Sequence, residues 1–291
     1  MKYASGAAFR MALEDRLRAE SRSTGMPLSR LRKTVAFDRL LARMVVSNSD
    51  GWLLKGGFAL QLRLENQARA TKDIDLLLLA IGVSSHAMLV AAARTSLGDW
   101  FEFEVSEPSH LPMHGGARMS VRALLDGRSF ETFHVDVGLD DPVTAPPDRL
   151  PVTPLLAFAD LEPTVVPCYP LVQHVAEKLH ALTRTHGTRD NSRVKDLVDL
   201  AALAEQQPFE ALALQAAIRA TFRVRVSEAI PKQLPEPPVW WGTEFRRMGR
   251  DVGLATETID GAMELLDAFL TPVLRGDARG VWSPAGRRWI E

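Results

Sequence analysis

The chain has 291 residues, 46% of them apolar, so it can bury a substantial core in one large domain or two ordinary ones. Its 35 lysines and arginines nearly balance its 36 aspartates and glutamates, which excludes a protein whose overall basic charge draws it to nucleic acid. The single cysteine, Cys168, excludes an intramolecular disulfide framework, and we expect it to be a small buried side chain in a reducing compartment.

The N-terminal segment predicts two helices and no targeting signal. Apolar residues recur at helical spacing over residues 7–20, and a second helix is expected over 29–47. Charged residues interrupt the first segment where a signal peptide has an unbroken apolar core, and no stretch of the chain reaches the length of a membrane span. We therefore expect a cytoplasmic protein with no membrane partner.

The second predicted helix is the most basic helix of the chain. Its charged face is interpreted either as a surface exposed to solvent or as a surface that contacts phosphates. Because the net charge of the chain is −1, any contact with RNA depends on local basic patches. The candidate residues, on this helix and further along the chain, are Arg30, Arg32, Lys33, Arg39, Arg43, Arg219, Arg223 and Arg225.

Two glycines follow a short predicted strand that begins at Trp52. The sequence Lys55-Gly56-Gly57 precedes a helix expected over about 58–64. Glycine permits φ > 0 and lets backbone N–H groups approach an anion closely, and a helix N-terminus carries partial positive charge. We therefore predict that Lys55, Gly56 and Gly57 bind the phosphates of a nucleotide.

An acidic pair, Asp73 and Asp75, opens the next predicted strand, over 73–79. Residues i and i+2 of a strand point to the same face, so the two carboxylates lie together while Ile74 turns into the core. Phosphoryl or nucleotidyl transfer through metal ions needs at least two carboxylates on the ions, and carboxylates are ligands that Mg²⁺ prefers. Asp73 and Asp75 are therefore the first two predicted metal ligands.

A third carboxylate is expected on an adjacent strand. Alternating segments over 117–123 and 130–137 predict two strands that pair across the turn Asp126-Gly127. Asp136 lies near the end of the second strand, and we predict that it completes a site for one or two Mg²⁺ ions. The competing candidates are Asp140 and Asp141, although an aspartate in a turn more often caps backbone N–H groups.

The chain changes character after a passage with eight prolines between residues 142 and 170, which predicts an extended connection. We predict an α/β domain over 1–160, including the N-terminal helices, and a helical domain over 161–291 that completes the nucleotide site and offers a groove for the acceptor. The helices expected in this half lie at about 171–186, 192–205, 208–222 and 255–275. The tail from Trp282 has no clear period, and loose packing is expected for it.

The helical half holds a second candidate cluster. Lys178 lies on an apolar helix, where its ammonium is costly unless a phosphate or a carboxylate meets it, so we predict that it binds the triphosphate. On the next helix Asp196 and Asp199 share a face, and the spacing of Lys195 and Asp199 favours an intrahelical salt bridge. The alternative is that Asp199 orients Lys178, or contacts the base and sugar of the nucleotide.

Together these segments resemble the AbiEii/AbiGii family, the nucleotidyltransferase-like toxins of bacterial toxin–antitoxin and phage-defence systems that include the mycobacterial MenT group. The resemblance spans about residues 30–205 and rests on Lys55-Gly56-Gly57, Asp73-Ile74-Asp75 and the segments 177–182 and 195–200. It implies a DNA polymerase β-like fold, an α+β domain with a mixed sheet followed by a helical half. It also implies Mg²⁺-dependent transfer of NMP from an NTP, an antitoxin partner and, for the MenT group, tRNA acceptor ends as the acceptor.

The resemblance also implies roles for single residues. Asp73 and Asp75 fall on the family's metal carboxylates, Lys178 on a motif lysine, and Asp199 on the second acid of a helical motif. The predicted catalytic residues are Asp73, Asp75, Asp136, Lys178 and Asp199, and the predicted nucleotide-binding residues are Lys55, Gly56, Gly57, Lys178 and Asp196.

Phe58 departs from the family pattern, because many relatives carry Ser or Thr after the glycines. A hydroxyl contact to a phosphate is then missing, and backbone N–H groups would have to suffice. Two other functions stay open. One is transfer to a small molecule or a protein instead of RNA, and the other is a non-catalytic interaction protein on the same scaffold, which Phe58 favours.

Overall fold

The computed structural model describes residues 1–79, 82–111, 116–184, 193–225 and 229–291. These residues form two compact units, and each is described by itself. The N-terminal unit comprises Met1–Arg63, Ala70–Asp140 and Pro147–Cys168, and the helical unit comprises Leu64–Arg69, Asp141–Pro146 and Tyr169–Glu291. The main division falls after Cys168, a little C-terminal of the boundary expected from sequence.

A mixed sheet forms the centre of the N-terminal unit. Its strands are β1 (Trp52–Lys55), β2 (Ile74–Leu78), β3 (Phe101–Val105), β4 (Ser109–His110), β5 (Ala117–Leu125), β6 (Arg128–Gly138), β7 (Asp148–Pro151) and β8 (Val165–Cys168). They follow the order β3-β5-β6-β2-β1-β8-β7, with β4 paired to β5. Two pairs, β2 with β6 and β1 with β8, are parallel, and the other pairs are antiparallel. The predicted mixed α+β class is therefore confirmed.

The helices of the N-terminal unit begin and end at the signals that the sequence carries. They are α1 (Gly6–Thr24), α2 (Leu28–Ser47), α3 (Gly56–Leu64) and α4 (Ser85–Arg94). The hydroxyl of Ser5 accepts the N–H of Ala8 at the start of α1, and Gly25 ends α1 in the left-handed region. Ser84 caps α4 in the same way as Ser5 caps α1. The helices predicted over 7–20 and 29–47 are confirmed.

Phe58 lies in the core of the N-terminal unit. Its side chain is fully buried, and its ring packs edge-on against Phe37 of α2, with 5.0 Å between the ring centroids. Phe37 also packs against Phe133 of β6. The first turn of α3 therefore directs this side chain into the core, and the absence of a hydroxyl here is explained by packing.

Two arginines of the predicted basic face of α2 differ from both sequence-based interpretations of that face. Arg39 and Arg43 are buried, neither exposed to solvent nor available to phosphates. The guanidinium of Arg43 donates to Asp99 Oδ1 at 2.6 Å, and that of Arg39 donates to Asp38 Oδ2 at 2.7 Å. These pairs neutralise charges that would otherwise be very costly in the core. The predicted phosphate-contacting surface is wrong for both arginines.

The proline-rich passage also differs from its prediction, because it supplies two strands of the sheet. Residues 148–151 and 165–168 form the antiparallel pair β7 and β8, and β8 joins the sheet beside β1. Cys168 at the end of β8 is buried, as expected, and burial raises the pKa of its thiol to about 12.

The helical unit consists of helices and one hairpin. Its elements are α5 (Leu171–Thr183), α6 (Val194–Gln206), α7 (Ala211–Val224), α8 (Trp241–Asp251), α9 (Ile259–Arg275), β9 (Val281–Ser283) and β10 (Arg288–Ile290). Helix α8 was not predicted from sequence. Among the helices in the described ranges, none combines the length and the apolar character that crossing a bilayer requires.

The C-terminal tail is packed, contrary to its prediction. Strands β9 and β10 pair as an antiparallel hairpin, and Trp282 on β9 is fully buried. The indole N–H of Trp282 donates to the carbonyl of Ala204 on α6, and that of Trp289 donates to the carbonyl of Phe269 on α9. Two tryptophans therefore fix the tail by combining apolar burial with a satisfied donor.

Candidate active site

The turn between β1 and α3 meets the acidic pair directly. Gly56 has φ +64°, which favours glycine, and a Cβ atom built on it would collide with the carboxylate of Asp75. The backbone N–H of Gly57 donates a hydrogen bond to the same carboxylate. The glycines and the acids therefore lie together, as the sequence predicts. In this arrangement, however, the Gly57 N–H is already used by Asp75.

Four charged residues lie opposite one another on four neighbouring strands. Lys55 of β1 is paired with Asp75 of β2, Asp75 with Asp136 of β6, and Asp136 with Arg118 of β5. Residues directly opposite on neighbouring strands point to the same face of a sheet. The four side chains form one row across the sheet in the order basic, acidic, acidic, basic, which we call the charged row.

Asp73 extends the acidic group beside the charged row. It precedes β2 and lies two residues before Asp75, and its Oδ1 is 3.3 Å from Nδ1 of His134 on β6. The hydroxyl of Thr71 donates to the backbone carbonyl of Asp73 at 3.0 Å. The three carboxylates that were predicted as metal ligands therefore come from the neighbouring strands β2 and β6 and from the residue that precedes β2.

The electrostatics of Asp75 reflect this crowding. Burial, together with the neighbouring Asp136 and Asp73, raises the pKa of Asp75 to about 6, although Lys55 and the Gly57 N–H oppose the rise. Hydrogen bonding to Asp136 raises the pKa of Arg118, which stays charged. Together with Asp73 beside it, the charged row has three carboxylates against its two cations, Lys55 and Arg118.

The donor set fits Mg²⁺, although it is not arranged as a finished metal site. Among the residues with described positions, no three histidine, cysteine, aspartate or glutamate side chains are already gathered as ligands of one ion. Both oxygens of Asp136 are instead paired with Nε and Nη2 of Arg118, at 2.6 Å each. Three carboxylates from neighbouring segments are nevertheless the donor type that a hard divalent cation prefers.

Of the candidates for the third carboxylate, Asp136 is the one that lies in the charged row. Asp141 belongs to the helical unit, where its Oδ1 accepts from Nη2 of Arg225 at 3.0 Å. Asp140 follows β6 in the left-handed region, with φ +61°. Nη2 of Arg225, the atom that donates to Asp141, also donates to Glu177 at 3.1 Å. Arg225 is therefore occupied by two carboxylates, which removes it from the predicted acceptor surface.

The second candidate cluster lies within the helical unit. Nζ of Lys178 on α5 donates to Asp199 Oδ2 at 2.6 Å and lies 3.4 Å from Asp196 Oδ1, both on α6. Asp199 also receives both Nε and Nη2 of Arg69 at 2.7 Å. The predicted salt bridge from Lys195 is replaced by these partners. Asp199 therefore holds Lys178 in place, as one of the two sequence-based alternatives stated.

Opposite charges keep this buried cluster ionised. Burial pushes the pKa of Asp199 upward, but Lys178 and Arg69 outweigh it, so the pKa lies below its usual value. Burial pushes the pKa of Lys178 downward, but Asp199 and Asp196 outweigh it, so the pKa lies above its usual value. At neutral pH Lys178 therefore carries a full positive charge in a fixed position.

Sequence reasoning missed two residues of these clusters, Arg118 and Arg69. Arg118 alternates with apolar residues on β5, as any exposed strand residue does, and Arg69 lies in a polar segment without a period. No local signal distinguishes either residue. Their roles depend on partners that lie 18 and 130 residues further along the chain, Asp136 and Asp199.

Comparisons with known proteins show which proteins the chain is similar to. A family model described as "Nucleotidyl transferase AbiEii toxin, Type IV TA system" matches residues 39–270. MenT4, a nucleotidyltransferase toxin from Mycobacterium tuberculosis H37Rv, is 17% identical, with a TM-score of 0.53 over 91% of this chain and 99% of that chain. A proposed nucleotidyltransferase from H. pylori is 14% identical, with a TM-score of 0.42 over 84% of this chain and 96% of that chain. No curated protein sequence matches the chain.

Proposed function

Because the chain belongs to the AbiEii family of nucleotidyltransferase toxins, we propose that it moves NMP from Mg²⁺-NTP to an RNA 3′ end, the tRNA acceptor stem. Such a modification would prevent aminoacylation and stop growth. The observation that carries the proposal is the pairing of Asp75 with Asp136 on parallel neighbouring strands, with Asp73 beside them and the glycine turn in contact with Asp75. Membership of a toxin–antitoxin family implies an antitoxin partner.

Each part of the site has a proposed role. Asp73, Asp75 and Asp136 would hold Mg²⁺, which when bound neutralises triphosphate charge and stabilises the leaving pyrophosphate. Lys55 and the N-terminus of α3 would bind phosphate oxygens, since both present positive charge beside the acids. In the helical unit, Lys178 is the proposed ligand of a phosphate oxygen, and Asp199 and Asp196 are the residues that fix its position.

Phe58 does not support a non-catalytic protein. Its side chain fills the core against Phe37, so the residue is needed for packing whether or not the site turns over. A transferase that acts on a small molecule or a protein would share the same carboxylates. The identity of the acceptor therefore decides between the two enzymes.

The proposal is tested by incubating the purified chain with total RNA, Mg²⁺ and each α-labelled NTP in turn, and then sizing the labelled product. We expect label in a band of tRNA length with a subset of the nucleotides. Asp73→Ala, with its fold verified by circular dichroism, should give no labelled RNA. Absence of label in RNA with all four nucleotides, or full activity of the variant, would refute the proposal.

A further inference from the structure

Arg118 occupies the carboxylate that the proposed function assigns to a metal ion. Its Nε and Nη2 atoms each lie 2.6 Å from a different oxygen of Asp136, so the guanidinium uses both oxygens in a fork. The strand register places the two residues directly opposite each other. The pair is therefore built into the sheet and does not depend on the chance meeting of two long side chains.

The formal charges around Asp136 explain why Arg118 and a metal ion do not both bind this carboxylate. Lys55 and Arg118 offset two of the three carboxylates Asp73, Asp75 and Asp136, which leaves one formal negative charge with His134 neutral. A divalent ion added beside Arg118 would reverse the sign of the group. Mg²⁺ also needs a carboxylate oxygen within about 2.1 Å, and the guanidinium fork already uses one acceptor position on each oxygen of Asp136. The ion and Arg118 therefore compete for Asp136.

Arg118 can leave Asp136 without a burial penalty. Its side chain is 42% exposed, so water can solvate the released guanidinium. The contrast within the same unit is the pair of Arg43 and Asp99, whose side chains are 1% and 0% exposed. Separating that pair would strand two charges in the core. Of these two pairs, only Arg118 with Asp136 is suited to exchange the arginine for a metal ion.

We propose that Arg118 is the resident counter-ion of Asp136, and that a divalent cation must displace it before Asp136 becomes a ligand. The inference rests on the proposed function, since it takes Asp136 as a metal carboxylate. It makes Arg118 a residue that sets the affinity of the site for the ion. Arg118 offsets the charge of Asp136 when the ion is absent, and it weakens the binding of the ion.

The test measures Mn²⁺ binding to the full chain without nucleotide, from the paramagnetic resonance signal of the free ion. Arg118→Gln should bind Mn²⁺ about tenfold more tightly than the wild type, because a charge-assisted fork no longer has to be broken. The matched control is Arg122→Gln, which removes one charge from the same strand at an exposed pair with Glu104. We expect the affinity of this control to stay close to that of the wild type.

A second comparison separates competition for Asp136 from a general effect of charge. In an Asp136→Asn background, Arg118→Gln should leave the Mn²⁺ affinity nearly unchanged, because the contested carboxylate is gone. An equal gain in both backgrounds would overturn the inference. So would weaker binding by Arg118→Gln in the natural background, since that result means that Arg118 orients Asp136 for the ion.

The same experiment distinguishes the inference from the proposed function. If no variant binds Mn²⁺, both proposals are refuted: the assignment of the three carboxylates as metal ligands and the counter-ion role of Arg118. If Arg118→Gln binds Mn²⁺ more tightly than the wild type but the wild type labels no RNA, the proposed transfer to RNA is refuted. The counter-ion role of Arg118 is then still supported. Thermal melts of each variant establish that the changes in affinity belong to folded protein.

Discussion

At the scale of single residues, Gly56 shows how closely the backbone is fitted to the acidic pair. Two separate conditions exclude another residue: the positive φ of +64° and the contact of any Cβ with the Asp75 carboxylate. Gly98 has the same φ of +64° but no heavy atom within 4 Å of a built Cβ. Substitutions at the two glycines therefore distinguish the cost of backbone strain, which both share, from the cost of a collision, which occurs only at Gly56.

We predict that Gly56→Ala abolishes nucleotide transfer and destabilises the protein by more than Gly98→Ala does. The control should lower the free energy of unfolding by about 1 kcal/mol, the cost of alanine in the left-handed region. Urea unfolding and transfer to RNA measure the two effects. Equal destabilisation by the two variants would show that the Asp75 carboxylate simply moves aside.

Asp75 makes the stability of the protein depend on pH. The pKa of its carboxyl is raised from 3.8 to about 6, first by burial and then by Asp136 and Asp73. A carboxyl whose pKa is raised on folding binds more protons in the folded than in the unfolded state. Its contribution to stability is therefore present at low pH and is lost as the pH rises from 3.8 to about 6.

We predict that Asp75→Asn removes the pH-dependent loss of stability that Asp75 causes. As the pH rises from 3.8 to about 6, the free energy of unfolding of the wild type should therefore fall relative to that of the variant. Urea unfolding at closely spaced pH values measures the difference. The control is Asp277→Asn at an exposed position of the helical unit. A constant difference between wild type and Asp75→Asn across the interval would contradict the raised pKa.

At the scale of elements, the packing of α2 against the sheet depends on a buried charged side chain, Arg43. Nη1 and Nη2 of Arg43 both contact Asp99, and Nη2 also donates to the carbonyl of Phe101 at 2.7 Å. A helix with a buried basic residue requires an acid from another element, and here the acid precedes β3. The pair joins α2 to the sheet.

We predict that Arg43→Met lowers the free energy of unfolding by about 3–5 kcal/mol, because it leaves the buried Asp99 carboxylate with only one ionic contact, the longer one to Arg39 at 3.4 Å. The double variant Arg43→Met/Asp99→Asn should recover part of that loss. Arg18→Met, which breaks an exposed pair with Asp15, should cost less than about 1 kcal/mol. Urea unfolding checks the series, and a small effect of Arg43→Met would show that the pair contributes nothing.

A bulge in the β5–β6 hairpin decides the composition of the charged row. Leu124 is opposite Ser129, but Ala123 is opposite Glu131, so the register shifts by one residue between them. Without that shift, Arg118 would lie opposite Val135 and not Asp136. Because side chains alternate with period 2, a shift of one residue exchanges the two faces of a strand.

At the scale of the whole molecule, a net charge of −1 means that RNA can be bound only where basic residues gather locally. Burial and pairing remove Arg39, Arg43 and Arg225 from the predicted surface. Arg219 and Arg223 remain exposed on α7, four residues apart and on one face of the helix. They are the better candidates for contact with the acceptor.

We predict that the double variant Arg219→Ala/Arg223→Ala binds tRNA more weakly and with a salt dependence lower by about two phosphate contacts. Filter binding over a range of salt concentrations measures both. The control, Arg94→Ala/Arg128→Ala, removes the same charge from exposed positions of the N-terminal unit. An equal effect of both double variants would assign the loss to total charge, and binding that is insensitive to salt would favour a small acceptor.

Local patterns in the sequence determined the helices with their caps, the glycine turn, the strand with paired acids, the hairpin turn and the family. These features depend on residues within a few positions of one another, so propensity, period and spacing are enough to define them. Only the tertiary structure decided which charges meet. It buried Arg43 against Asp99, joined Arg69 to Asp199 across 130 residues, and brought Arg118 to Asp136 through a bulge. The physical reason is that a charged side chain is compatible with many partners, and the choice among them is made by packing and strand register.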